Sequence, residues 1–405
     1  MLVIQTLLSV FLIWSVIIAI LGTIYQRKKN ISETVRQNHF GIIICAHNEE
    51  TVIDQLLSCL DAQVYPATHR QVFLLADHCT DQTAQVGKRH PAVTVWERNE
   101  GERSGKGAVL NWGLEQIHRY YPDTFEVLLV FDADNIVQKD FLTLINQAFC
   151  SGADIITGRR IAQNPYDSLV SQWYTLYWCV INALYNRPRY NLGLSSMISG
   201  TGFAFKVSLL EGQGWNTISM SEDIEFSVQQ CLKGNHVDFI EEAPFYDEQP
   251  TSFKVMVTQL RRWCSGDYQI VSHYLKPWWK RFKANPSCLL FDLFMAVGFC
   301  VIVGLVALFY IILAGWMFTQ GFFLTLLLPA VIFLYSATCL VGLVAALQDG
   351  WNPKKLWSGL LTFPIFYSVF SLVSLFAFFF PTKKWVNIVH KGASDEDITD
   401  MRMGR

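Results

Sequence analysis

Apolar positions along this chain fall into two patterns. Some form long uncharged runs; others form short runs that alternate with helix-spaced stretches. Leu2 to Tyr25 contains no charged residue, and a membrane-crossing helix needs about 20 apolar residues at 1.5 Å rise each. Leu293 to Gln348 is a second uncharged run, long enough for two spans joined near Thr319, Gln320 and Gly321. Leu356 to Phe380 is a third run, predicting a fourth span unless Pro364 breaks it into a re-entrant hairpin. Between the first two runs the pattern is that of a folded domain. Gly41–Ala46 is a short continuous apolar run, as a buried parallel strand carries. Asn48, Glu49 and Glu50 follow, then helical spacing at Ile53, Leu56, Leu57 and Leu60. Further strands are predicted at Gln71–Ala76, Val93–Trp96, Val127–Phe131 and Ile155–Gly158, with helical spacing over Lys106–His118. This alternation predicts an α/β domain with a mostly parallel sheet. Ligands of such sheets bind beyond the carboxyl ends of the strands, where Asp77 and Asp132 fall.

Composition agrees with the long runs. Apolar residues make up 51% of the 405 and charged residues only 16%, against ~25% in an average soluble protein. A net charge of −2 gives no sign of a nucleic-acid binder. The ten cysteines form no CxxC pair, which excludes the usual spacing of a zinc site and reads as free thiols in a reducing compartment. Charge placement sets an expected topology. Basic residues follow the first run (Arg27, Lys28, Lys29), precede the second (Lys276, Lys280, Arg281, Lys283) and precede the third (Lys354, Lys355). A signal peptide has its charges before the apolar run, so the first run is expected to be an uncleaved anchor. The positive-inside rule then puts residues from about 27 to 288 in the cytoplasm. Lys383 and Lys384 oppose it, because four spans would leave them outside.

Several polar clusters have chemical meaning. Asp132-Ala133-Asp134 follows an apolar strand; two carboxylates so placed can share a hard divalent cation, or can form a solvated acidic turn. Asp77 at a strand tip can accept a base N–H, and Asp81 can cap the next helix. Ser221-Glu222-Asp223 reads either as an N-capped helix start with acidic residues in its first turn or as the seat of a general base, Asp223. Gln259, Arg261, Arg262 and Trp263 combine planar phosphate donors with a stacking surface, or make a basic helix resting on lipid head groups. Gly200-Thr201-Gly202 and Gly105-Lys106-Gly107 are short glycine motifs. The second lacks P-loop spacing, and the first would let a backbone approach a ligand. Tyr166 to Asn186 holds Trp173, Tyr174, Tyr177, Trp178 and Tyr185. It is expected either at the inner membrane interface or as an aromatic packing helix within the domain. Ser252 to His273 and Trp278-Trp279 are further interfacial candidates.

In their order the motifs CAHNEE, ADHCTDQT, GKGAVLNWGL, DAD, SGTGFAF, SED and QLRRW resemble those of family 2 glycosyltransferases. The likeness is to the membrane-integrated cellulose, chitin, hyaluronan and poly-N-acetylglucosamine synthases. It covers about Phe40 to Asp267, with Ser221 where relatives have threonine. One span before the domain and three after it are similar to the chitin-oligomer synthases of nodulation. The resemblance implies a GT-A fold and inverting transfer from a UDP-sugar, with glucose or N-acetylglucosamine the expected sugar. It implies that Asp77, Asp132, Lys106, Gln259 and Arg262 bind the donor, and that Asp134 with Asp132 holds Mg²⁺ or Mn²⁺. It makes Asp223 the base and has Gly200, Thr201, Gly202, Glu222 and Trp263 border the acceptor.

The organisation expected is an anchor at 1–26, a cytoplasmic transferase domain at 27–250, interfacial helices at 251–287, a transmembrane region at 288–381 and a tail at 382–405. The whole would be a multi-pass protein of the plasma (inner) membrane. Three functions compete: a processive polysaccharide synthase that secretes its polymer through the spans, a transferase adding one sugar to a lipid-linked acceptor, and a transporter or receptor with a regulatory domain.

Overall fold

The computed structural model describes residues 2–27, 36–212, 214–319, 328–382 and 390–394. Strands form at β1 (Phe40–Ala46), β2 (Arg70–Asp77), β3 (Val93–Arg98), β4 (Val127–Asp132), β5 (Ile136–Val137), β6 (Ile155–Ala162), β7 (Phe203–Lys206) and β8 (Val237–Asp247). They join one sheet in the order β3-β2-β1-β4-β7-β6-β8-β5. The first four strands in that order are parallel, as predicted. Beyond β4 the sheet is mixed: β7 runs antiparallel to β4 and β6, and β5 antiparallel to β8, while β6 and β8 are parallel.

The apolar runs bury both faces of this sheet. Successive side chains on a strand point to opposite faces. Ile42 and Ile44 pack with Leu56, Leu60 and Phe141, and Ile43 packs on the other side with Phe73, Leu110 and Phe226. All three isoleucines are fully buried. Helices Ile53–Asp61 and Phe141–Cys150 cover one face, and Lys106–Tyr120 and Glu222–Lys233 the other.

Two compact units emerge. The sheet unit contains the described parts of Arg27–Gln163, Gly193–Glu248 and Trp385–Arg405. The helical unit contains the described part of Met1–Gln26, Asn164–Leu192 and the described part of Gln249–Lys384. Three of its helices are long and apolar enough to cross a membrane: Phe299–Thr319, Leu328–Gln348 and Trp357–Phe379. The last runs unbroken through Pro364, so the re-entrant hairpin does not form. The N-terminal helix covers Leu2–Ile24. Lys28, Lys29, Gln320, Gly321, Lys383 and Lys384 lie outside the described residues.

The aromatic segment after Tyr166 forms a packing helix, one of the two expectations, but within the helical unit rather than the sheet unit. Trp173, Tyr174 and Trp178 are each at most 4% exposed. Trp173 Nε1 donates to Thr362 Oγ1 at 2.9 Å, on the helix Trp357–Phe379. Helix-to-helix packing holds these aromatics.

Candidate active site

The carboxyl ends of β1, β2 and β4 lie side by side in the sheet, with Cys45 paired to Asp132. The turns leaving these strands carry strain: Asn48 and His78 both adopt left-handed backbone, at φ 56° and 50°. Asp77 ends β2 and is buried. Asp81 accepts from the Thr83 backbone at 3.0 Å and from Glu50 N at 3.1 Å. It thus holds the first residue of the helix Thr83–Gly87 against the turn after β1, close to its expected capping role.

Lys106 opens the helix Lys106–Tyr120 and ties two motifs together. Its Nζ donates to Asp132 Oδ1 and, at 2.7 Å, to the carbonyl of Gly200. Burial opposes the charge on Lys106, but Asp132, Cys45 and Glu222 outweigh it and drive its pKa up. Gly200 has φ 85°, and a Cβ built on it would lie 3.8 Å from Asp223 Oδ2. Asp223 and Glu222 stand in the first turn of the helix Glu222–Lys233. Ser221 takes the N-cap position without a side-chain capping bond. Glu222 turns toward the other helix: a Cβ on Gly107 would meet its Cβ at 3.2 Å.

Two residues expected beside the acceptor, Thr201 and Gly202, also have structural contacts. Thr201 is fully buried. Its hydroxyl donates to Asn135 Oδ1 and accepts from Asp132 N at 2.8 Å, so it braces the Asp132 turn. Gly202 has φ 62°, and a Cβ there would stand 2.2 Å from the Phe245 ring. Packing requires a glycine at 202. Gly202→Ala is expected to cost about 2–4 kcal/mol, read as a lowered thermal midpoint with the fold intact at low temperature.

Asp132, Asp134 and Asp247 bring carboxylate oxygens within 4.8 Å of one another. Three such oxygens are a donor set for a hard divalent cation, so the residues fit Mg²⁺ or Mn²⁺. Asp247 ends β8 and was not anticipated. Arg160 Nε donates to its Oδ2 at 3.1 Å, and Asn135 Nδ2 to its Oδ1 at 2.9 Å. Burial and the neighbouring Asp134 and Asp132 push its pKa up to about 6, against the pull of Arg160.

A second unanticipated element is the segment 390–394. His390 Nδ1 lies 3.1 Å from Asp134 Oδ2, at ion-pair distance, though its angle misses hydrogen-bond geometry. The backbone is pinned on both sides. Thr51 Oγ1 donates to His390 O at 3.2 Å and Gln55 Nε2 to Ala393 O at 2.9 Å. Lys391 N and Gly392 N both donate to Glu248 Oε2 at 2.9 Å. Burial opposes the charge on His390, but Asp134, Glu49 and Glu248 carry its pKa up to about 10. Burial also raises Glu49, to about 8, with His390 opposing and Asp134 and Asp132 adding to it.

Gln259, Arg262 and Trp263 belong to the helical unit, on the helix Phe253–Ala284. Their i, i+3, i+4 spacing puts them on one face. Trp263 stacks near Tyr177 (centroids 6.2 Å, planes 27° apart), with Tyr174 edge-on at 6.1 Å. Among the described residues Gln259 Oε1 is buried with no hydrogen-bond partner, a costly state that a ligand donor would relieve.

Residues 37–266 match the family described as glycosyltransferase like family 2. The chain belongs to this family. A probable glycosyltransferase of Bacillus subtilis, YdaM, is 25% identical over 63% of this chain and 60% of its own length. The beta-monoglucosyldiacylglycerol synthase of Synechocystis is 26% identical over 61% and 51%. The poly-beta-1,6-N-acetyl-D-glucosamine synthase of Staphylococcus aureus is 23% identical over 56% and 54%. These alignments span about half to three fifths of the relatives, at 60%, 51% and 54%. Among solved structures, the mannosyltransferase PcManGT of Pyrobaculum calidifontis, in complex with GDP-Man and Mn²⁺, superposes with a TM-score of 0.59. That likeness covers 91% of this chain and 99% of the other at 17% identity. The sheet unit of this family 2 chain has the GT-A fold, as its motifs imply.

Proposed function

We propose that this family 2 glycosyltransferase moves a hexosyl group from a UDP-sugar to an acceptor hydroxyl in one inverting displacement. One observation carries the reading. Gly200 lies between two functions, its carbonyl held by the lysine that binds Asp132 and its α-carbon beside the Asp223 carboxylate. A cation-holding aspartate and a candidate base therefore flank a single open glycine. An acceptor hydroxyl needs a base on one side and charge relief for the leaving diphosphate on the other. Asp223 takes the proton from the hydroxyl. Lys106 and the carboxylates of Asp132, Asp134 and Asp247 form the opposite wall. A divalent cation held by those carboxylates would neutralise charge on the departing nucleotide. Asp77 meets the base of the donor. The QLRRW resemblance gives Gln259 and Arg262 the diphosphate and Trp263 the acceptor; the Gln259 amide oxygen, buried and unpartnered among the described residues, supports a ligand there.

The acceptor proposed is a growing β-linked polysaccharide. The sheet unit would face the cytoplasm from the plasma membrane, as the basic clusters beside the apolar runs favour. A second reading, one sugar added to a lipid-linked acceptor, is favoured by a named relative that is a glucosyldiacylglycerol synthase. Full-length protein in detergent, given UDP-glucose or UDP-N-acetylglucosamine with Mn²⁺, is expected to release UDP and yield a ladder of water-soluble chains on a gel. A single product partitioning into organic solvent would favour the lipid acceptor. No nucleotide release from any sugar nucleotide would overturn both.

A further inference from the structure

We infer that Arg98 and His78 set the base selectivity of the donor site by filling one oxygen of Asp77, so that the site reads one ring N–H flanked by carbonyls, the edge of uracil. This rests on the reading above that Asp77 meets the donor base.

The register of β2 and β3 pairs Asp77 with Arg98. Arg98 Nη1 donates to Asp77 Oδ1 at 2.6 Å, and His78 Nδ1 lies 2.9 Å from the same oxygen. Among the described residues, Oδ2 has beside it only Arg103 Nε, 4.0 Å away. The two side chains that fill Oδ1 also hold the loop before Lys106. His78 Nε2 is 3.0 Å from Gly101 O, and Arg98 Nη2 donates to Glu102 O at 3.2 Å. Asp77 is 4% exposed, so its carboxylate keeps one orientation.

The open part of this carboxylate is a single acceptor, Oδ2, with Arg103 near it and the Arg98 guanidinium and His78 ring gathered on Oδ1. Uracil offers N3–H between the O2 and O4 carbonyls and meets all three positions. Guanine offers O6, N1–H and N2–H₂. Its first two groups fit, but the amine meets an oxygen already filled and faces Arg98 and His78, donor against donor. A carboxylate with both oxygens open would instead take N1–H and N2–H₂ together. Adenine and cytosine bring a ring nitrogen lone pair against Oδ2. An unpaired buried donor or acceptor costs more than a made bond gains, so the third position decides. Arg98 acts through Asp77 and is a positioning residue.

The test is calorimetric titration of the full chain in detergent with Mn²⁺ and UDP, GDP, CDP or ADP. Wild type is expected to prefer UDP to GDP by at least about 100-fold. Arg98→Met should weaken UDP and tighten GDP, lowering the UDP/GDP ratio at least about tenfold. Arg98→Lys, which keeps a donor on Oδ1, should restore most of the ratio, an outcome that a merely structural arginine would not give. If Arg98→Met fails to fold, His78→Gly provides the same readout, because glycine accepts the φ of 50° without strain. Tight UDP binding with GDP equal to it, or a ratio unmoved in both variants, overturns the inference alone. A wild type that binds no nucleoside diphosphate removes the proposed function and the inference together.

Discussion

Asp223→Asn is expected to lower kcat by about 10³-fold while leaving KM for the donor within about twofold. Asparagine keeps the shape and hydrogen-bonding reach of the side chain but cannot take a proton. The loss should therefore appear in the chemical step, measured as UDP release at saturating donor, with an unchanged thermal midpoint. The neighbouring carboxylate is the control. Glu222 starts the same helix but turns toward Gly107, whereas Asp223 faces Gly200. Glu222→Gln should cost about tenfold at most, since it removes charge near Lys106 and no proton acceptor. Equal losses in the two variants, or an Asp223→Asn enzyme of near-normal rate, would remove Asp223 from the role of base.

Asp134→Ala is expected to weaken Mn²⁺ binding at least about 100-fold and to lower kcat by about 10³-fold. Titration of Mn²⁺ into the full chain, with and without UDP, measures the first effect independently of turnover. The pH dependence has a definite sign. Burial and its acidic neighbours hold Asp247 at about 6, so below that pH it keeps its proton and offers no ionised oxygen. Metal uptake must then expel a proton. Affinity for Mn²⁺ should rise as pH increases through 6 and flatten above it, with proton release falling over the same range. Asp247→Asn should abolish that slope. A pH-independent affinity between 5 and 7 would show that Asp247 is not a ligand.

What could be read from the sequence follows from where the signal lay. GIIICA, QVFLLA and VLLVF are unbroken apolar runs because both faces of their strands are covered, and only a central parallel strand needs that. β8 is harder. Its sequence VDFIEEAPFYD mixes charges and proline, and its pairing with β6 shifts register between Gly158 and Arg159. Asp247 at its end therefore had no pattern to mark it. His390 is a lone histidine in a stretch with no periodicity, and it meets Asp134 only through the tertiary fold. The glycines of SGTGFAF illustrate a different limit. Sequence shows that glycine stands at 200 and 202, but only the surroundings separate the one beside Asp223 from the one under Phe245. The same holds for Trp173 and Tyr174. Their amphipathic rings suit an interface or a helix-packing seam equally, and burial alone decides.

The order of synthesis gives the His390 segment a further meaning. A ribosome translates Asp132, Asp134 and Asp247 well before His390, and the three long apolar helices are made in between. Throughout that interval Asp134 has no imidazole beside it, and Glu248 lacks the amides of Lys391 and Gly392. The nascent sheet unit thus carries Asp134 and Glu248 without these late partners until the last of those helices exists. Completion of the site is tied in time to completion of the helices.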